Sequence, residues 1–255
     1  AISTRKAIEI QPGFAQAHSN LGDIFKEFGN FQAAKDSWSK AIELNPQLEA
    51  SKYSLGKQLY FEENYHLAIN VLKGGNHNFC QSLLLACLLC LDEQKEFDKK
   101  YLELSEGKIC NAEIGGIIEH ANIIYDTKKN SLFCNEAIKY VHWEKINEES
   151  FSATNLNQLI SFLKNYPPES RSKKFIQNGI QTSGNLFTLD LPFINSIREV
   201  LEVRIELYKQ KFKDSGQNFI TNWPTNYELR SWLISMKTGA YLYQHNHEYG
   251  WITGS

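Results

Sequence analysis

A 34-residue recurrence runs through the first third of the chain and constrains its fold more tightly than any other feature. Ala7 and Pro12 return as Ala41 and Pro46, and Leu21-Gly22 returns as Leu55-Gly56. Phe25 is replaced by Leu59 at the same interval, and Ala34 returns as Ala68. A unit of this length cannot bury its apolar face alone, so it must stack against copies of itself. Gly22 and Ala34 are small where two antiparallel helices would approach closely. Gly29-Asn30 fits the end of the first helix, and Pro46 stops the second.

The residues in register from Ala15 to Pro46 are His18, Leu21, Gly22, Phe25, Gly29, Ala34, Trp38, Ala41 and Pro46. The set resembles the tetratricopeptide repeat, which implies an all-α solenoid whose concave face takes protein or peptide partners. Residues 1–78 are assigned to these repeats. Ala1 to Gln11 corresponds to the second helix of a partial first repeat. The second complete repeat, Glu49 to Lys73, keeps Leu55, Gly56, Tyr60, Tyr65, Ala68 and Leu72 before breaking at Gly74-Gly75-Asn76. Residues 79–148 read as degenerate helical repeats or a cap. A helix pair is expected over Asn78 to Ser105, and amphipathic helices over Ile114 to Tyr125 and Leu132 to Trp143.

Composition narrows the partners. At 255 residues the chain can hold one large or two ordinary domains, and its 42% apolar and 22% charged content is that of a globular protein. A net charge of -2 gives no reason to expect nucleic acid or an anionic membrane. The longest apolar run, Leu83 to Leu91, is too short to span a bilayer. Five cysteines, an odd number in helical surroundings, suggest free thiols and a reducing, cytoplasmic location. Cys87-x-x-Cys90 reads as buried thiols among leucines rather than a redox or zinc pair.

Beyond Glu148 the composition changes, and residues 149–255 read as a separate domain. A short helix is expected over Leu156 to Leu163 and a long amphipathic one over Leu191 to Phe212. Asn178 to Asn185 looks like a polar loop. Leu229 to Met236 and Tyr241 to His247 favour strands, with Lys237-Thr-Gly239 as the turn between them. On a strand, residues two apart share a face, so His245 and His247 would project together, with Tyr241 and Tyr243 beside them. Two neutral imidazoles suit Fe(II), zinc or copper. Glu248 would point to the opposite face and is not counted as a ligand. His18 fills a repeat position, and His66, His77, His120 and His142 have no partner at ligand spacing.

The run from Ile180 to Phe187, the helix ending Ile205-Glu-Leu-Tyr208, and Trp232, Gly239, Tyr241, His245, His247, Gly250, Trp251 and Gly254 together resemble the N-terminal part of 2-oxoglutarate and Fe(II)-dependent oxygenases. The resemblance implies an incomplete double-stranded β-helix (jelly-roll) domain with an N-terminal helix. It makes His245 and His247 metal ligands, and Fe(II) and 2-oxoglutarate the cofactors. Tyr241 and Tyr243 would line the co-substrate pocket, with aromatic core as the alternative. The family's distal His and its basic 2-oxoglutarate partner have no counterpart here. The chain accordingly reads as a fragment cut at both ends, inactive as an oxygenase by itself. Gly239-x5-His245-x-His247 also matches the opening of a cupin metal motif, although Trp251 and Ile252 stand where a cupin has Glu. A peptide-binding scaffold joined to a cupin-like domain is therefore the alternative, and two surface histidines on a strand a third reading. A His-x-His-x-Asp-His hydrolase motif fails at Tyr249 and Gly250.

Overall fold

A computed structural model describes residues 2–107, 109–166, 176–243 and 250–254. It divides into two compact units, Ala1–Asn135 and Glu136–Ser255. His245, His247 and Glu248 lie outside the described residues.

The first unit is a helix-pair array. Its helices are α1 (Ile2–Ile10), α2 (Ala15–Glu27), α3 (Phe31–Leu44), α4 (Glu49–Phe61), α5 (Tyr65–Leu72), α6 (Asn78–Cys90), α7 (Gln94–Glu106) and α8 (Ala112–Ile124). Local chemistry sets the boundaries. Asn30 accepts from the Ala33 amide at 3.2 Å, and Asn111 accepts from Glu113 and Ile114 at 3.0 and 3.1 Å. Each cap satisfies amides that the first helical turn leaves unpaired. Gly29 ends α2 with φ +74, a conformation that costs glycine little.

The repeat glycines are where the helices meet. A Cβ on Gly22 would lie 2.5 Å from the fully buried Trp38 indole, and one on Gly56 2.7 Å from Leu72. The sequence spacing therefore becomes close packing of α2 on α3 and of α4 on α5. Trp38 also donates its indole N–H to Asp23 at 3.1 Å, so the large apolar side chain is polar-satisfied where it crosses between helices. One continuous core runs from Ala34 and Trp38 through Leu55, Leu72, Leu85 and Phe97 to Ile118. The expected pair over 78–105 forms as α6 and α7, and the 114–125 helix as α8.

Leu132 to Trp143 does not form the expected helix. Side chains of Asn130, Ser131 and Asn135 capture the amides of Leu132, Phe133 and Ser131 at 2.9–3.2 Å, an alternative to helical bonding. Leu132 and Glu136 take left-handed backbone, at φ +64 and +54. Only a short 3-10 turn, Ala137–Tyr140, remains of the expected helix.

In the second unit α9 (Ala153–Asn165) precedes β1 (Ile176–Gln181), α10 (Pro192–Phe212), α11 (Asn218–Thr221) and β2 (Ile234–Leu242). Ser152 caps α9 by accepting from Asn155, and Pro at the start of α10 needs no amide partner there. β1 and β2 pair antiparallel, and among the described residues the sheet has these two strands.

Two sequence expectations change here. Residues 178–181 of the supposed loop belong to β1. Lys237-Thr-Gly239 does not reverse the chain but lies inside β2. Ile176 pairs with Leu242 and Gln177 with Tyr241, whereas Gly179 pairs with Met236. Residues 237–240 therefore bulge out opposite the single residue Asn178, with positive φ at both Gly239 (+77) and Asn178 (+55). A glycine that looks like a turn signal in sequence serves equally well in a bulge.

Candidate functional site

Three neighbouring helices of the first unit, α2, α4 and α6, leave an open stripe on the side away from their packed partners. On α2, Ala17, Ser19 and Gly22 are buried, which leaves Gln16, Asn20, Asp23 and Glu27 exposed one turn apart. α4 buries Leu55, Gly56 and Leu59 and presents Ala50, Ser54, Lys57 and Phe61. α6 buries Leu84, Leu85 and Leu88 and offers Phe79, Leu83, Ala86 and the exposed Cys90.

Contacts tie the stripe together. The Tyr53 and Phe79 rings lie 5.5 Å apart across α4 and α6, and Cys90 Sγ is 3.7 Å from the Tyr60 hydroxyl. Lys57 donates to the Tyr53 hydroxyl at 3.1 Å and sits 5.2 Å from that ring's centroid. The face thus grades from acidic and amide groups on α2, through a cation among aromatic rings on α4, to apolar groups on α6.

Repeat positions that sequence marks as structural behave so. His18 Nε2 bonds the Pro12 carbonyl oxygen at 2.9 Å. The equivalent residue one repeat on, Lys52, is buried and donates to the Gly74 carbonyl at 2.5 Å. Glu49 completes this clamp by accepting from the Asn76 and His77 amides at 2.9 and 3.3 Å. Partial burial works to raise its carboxyl pKa, but the amide bonds and Lys52 outweigh this and hold it below the ordinary value. These residues secure the turn after α5 and are not available to a ligand.

All five cysteines are free. Burial pushes the thiols of Cys80 and Cys87 up to about 12 and those of Cys110 and Cys134 to about 11. Cys90 differs from the expected buried pair, because it faces outward at the end of α6.

In the second unit Tyr241 and Tyr243 follow the bulge of β2. Their rings meet edge to face at 4.9 Å, each about half exposed, and Tyr243 donates to Gln177 Oε1 at 3.0 Å. They share a face as alternation requires, and that face is open rather than core. Among the described residues no three His, Cys, Asp or Glu side chains gather as a metal site. No described helix is long and apolar enough to cross a membrane.

No family model matches the sequence, and no curated protein matches it. Among solved structures, the chain is similar to the crystal structure of YrrB, described as a TPR protein with an unusual peptide-binding site. That likeness has 18% sequence identity and a TM-score of 0.38, and covers 48% of this chain and 68% of the other. The helix-pair architecture of residues 2–124 stands on this chain's own packing: Gly22 and Gly56 where α2 meets α3 and α4 meets α5, and a shared core.

Proposed function

We propose that the chain is a protein-interaction scaffold in which the stripe on α2, α4 and α6 binds an extended peptide segment. The observation carrying this reading is a stripe in which Asn20, Asp23 and Phe61 are exposed and Lys57 and Leu83 half-buried, on adjacent helices whose other faces are consumed by packing. Solenoids expose their recognition surface in this way because each repeat contacts only its neighbours. Panning a random peptide library against the full chain, then measuring the selected peptides by calorimetry, tests it. Lys57→Glu and Leu83→Asp are expected to weaken those peptides at least about tenfold, as loss of an interface anchor does. Unchanged affinity in both variants, with helicity retained, overturns the assignment.

The second unit supports a further reading through its sequence resemblance to 2-oxoglutarate and Fe(II)-dependent oxygenases. In it, His245 and His247 hold a divalent metal, with Tyr241 and Tyr243 beside a 2-oxoglutarate site in a jelly-roll. The open, paired tyrosines at the end of β2 favour a ligand-facing surface there. Two imidazoles are a donor set that Fe(II) accepts. Bound iron would supply oxygen activation, while this chain's part is to hold and orient the metal through the imidazoles. Calorimetry with Co(II) in place of Fe(II) is expected to show binding that His245→Ala abolishes and that fades below about pH 6 as the imidazoles protonate. Equal binding by His245→Ala and the parent chain removes the metal site.

A further inference from the structure

A groove runs along α10, lined by residues that neither of those readings uses. It consists of two adjoining cavities of about 540 and 410 Å3 that share Glu202 and Tyr227. One wall is α10 itself, from Asn195 through Arg198, Glu202 and Glu206 to Gln210. The other is built by residues 185–190 and 227–229. Fifteen helical steps of 1.5 Å give it a length of about 22 Å, which matches roughly six or seven extended residues.

Its floor is apolar and uncovered: Val203 is 58% exposed, Leu207 51% and Tyr227 42%. Tyr227 is held by its edge contact with Trp223 at 6.5 Å between centroids, so the wall is built and not a loose side chain. The rim is acidic. Asp190, Glu202, Glu206 and Glu228 face a single lining cation, Arg198, which donates to the Phe187 carbonyl at 3.3 Å. Glu206 pairs with Lys209 at 2.9 Å and Glu228 with Arg230 at 2.9 Å. Asp190 accepts from Asn195 at 3.0 Å. Glu202, which lines both cavities, has no hydrogen bond or ion pair among the described residues.

We propose that this groove binds a basic, apolar-anchored peptide segment of a partner protein, with Val203, Leu207 and Tyr227 taking its apolar side chains and Glu202 its central cation. Alternation along an extended strand would place apolar residues on the floor and Lys or Arg toward the rim. An anionic lipid surface is disfavoured by the same charges. The site is separate from the stripe on α2, α4 and α6, and does not depend on that reading.

The test is fluorescence anisotropy of the full chain with a labelled Lys-Leu-Lys-Val-Lys-Leu peptide, against Glu-Leu-Glu-Val-Glu-Leu as control. The basic peptide is expected to bind saturably and more weakly as salt rises, while the acidic one does not bind. Glu202→Lys and the double variant Val203→Ala/Leu207→Ala are each expected to weaken it by about tenfold with circular dichroism unchanged. Lys57→Glu is expected to leave it unaltered, which separates this groove from the repeat face. Full affinity in both α10 variants, loss in Lys57→Glu alone, or equal binding of the acidic peptide overturns the proposal. So does a self-associated chain that Leu207→Ala dissociates in sedimentation, since the occupant would then be a second copy.

Discussion

Cys90 is the residue whose chemistry departs furthest from its sequence context. It follows Cys87 by one helical turn within a run of leucines, yet it is exposed while Cys87 is buried with its thiol pushed up to about 12. Thiolate is the reacting form, so at pH 8 an aryl disulfide reagent is expected to label one thiol rapidly, lost in Cys90→Ser. Rapid labelling of three or more thiols in the native chain contradicts the burial described. Glu49 offers a second test at this scale. Its folded pKa lies below the unfolded value, so its stabilisation is complete above the unfolded pKa. That stabilisation is lost as pH falls through the folded pKa. Glu49→Gln is expected to cost about 1–2 kcal/mol at neutral pH, the worth of charge-assisted bonds to amides. The difference from the parent chain should shrink as pH falls through the folded pKa, and urea titrations at pH 7 and in acid compare the two. A penalty unchanged between those pH values rules out the charge as its source. Neither role is legible in sequence, since both depend on what lies opposite in the next repeat.

At the scale of elements, the repeat glycines show how sequence spacing becomes geometry. Gly22→Ala adds a helix-favouring methyl, a gain of about 1 kcal/mol by propensity. That methyl would meet the buried Trp38 indole at 2.5 Å, and overpacking costs about 1–3 kcal/mol. The expected net outcome is destabilisation, seen as a lower thermal midpoint; Gly116→Ala is the control, because a Cβ there has nothing within 4 Å. A Gly22→Ala midpoint at or above that of the parent chain argues against the close crossing of α2 and α3. The failed helix after Ser131 and the bulge in β2 belong to this scale too. Leu132, Val141 and Trp143 fall on a helical apolar pattern, but Asn and Ser side chains took the backbone amides first. Val141 and Trp143 consequently stay 69% and 87% exposed. Lys237-Thr-Gly239 carries the composition of a turn, and only the pairing of Gln177 with Tyr241 reveals a strand that continues past it.

For the whole molecule, the division at Asn135 predicts separable unfolding. Trp38 is the single tryptophan before the division, with Trp143, Trp223, Trp232 and Trp251 after it. Circular dichroism weighted to the repeat helices and tryptophan emission weighted to the second unit should give non-coincident denaturation curves. Gly22→Ala should shift the first curve and leave the second in place; two curves that coincide and move together would exclude independent units. The repeat array was readable from residue spacing because each helix pair is specified locally and buries its face against a neighbour a fixed number of residues away. The second unit was readable in its helices and in part of β2, but not in its strand pairing. Its sheet joins residues 176–181 to 234–242 across a long sequence gap, and no local pattern encodes such a register. The α10 groove was hidden for the same reason: Leu207 looks like core in a helical pattern, and its 51% exposure depends on where residues far along the chain come to rest. Sequence alone determined the repeating helices, their crossing points and the His245–His247 pair, all features carried by neighbouring residues. Tertiary structure decided which apolar side chains stay uncovered and which charges surround them, because those depend on contacts between segments far apart in the chain.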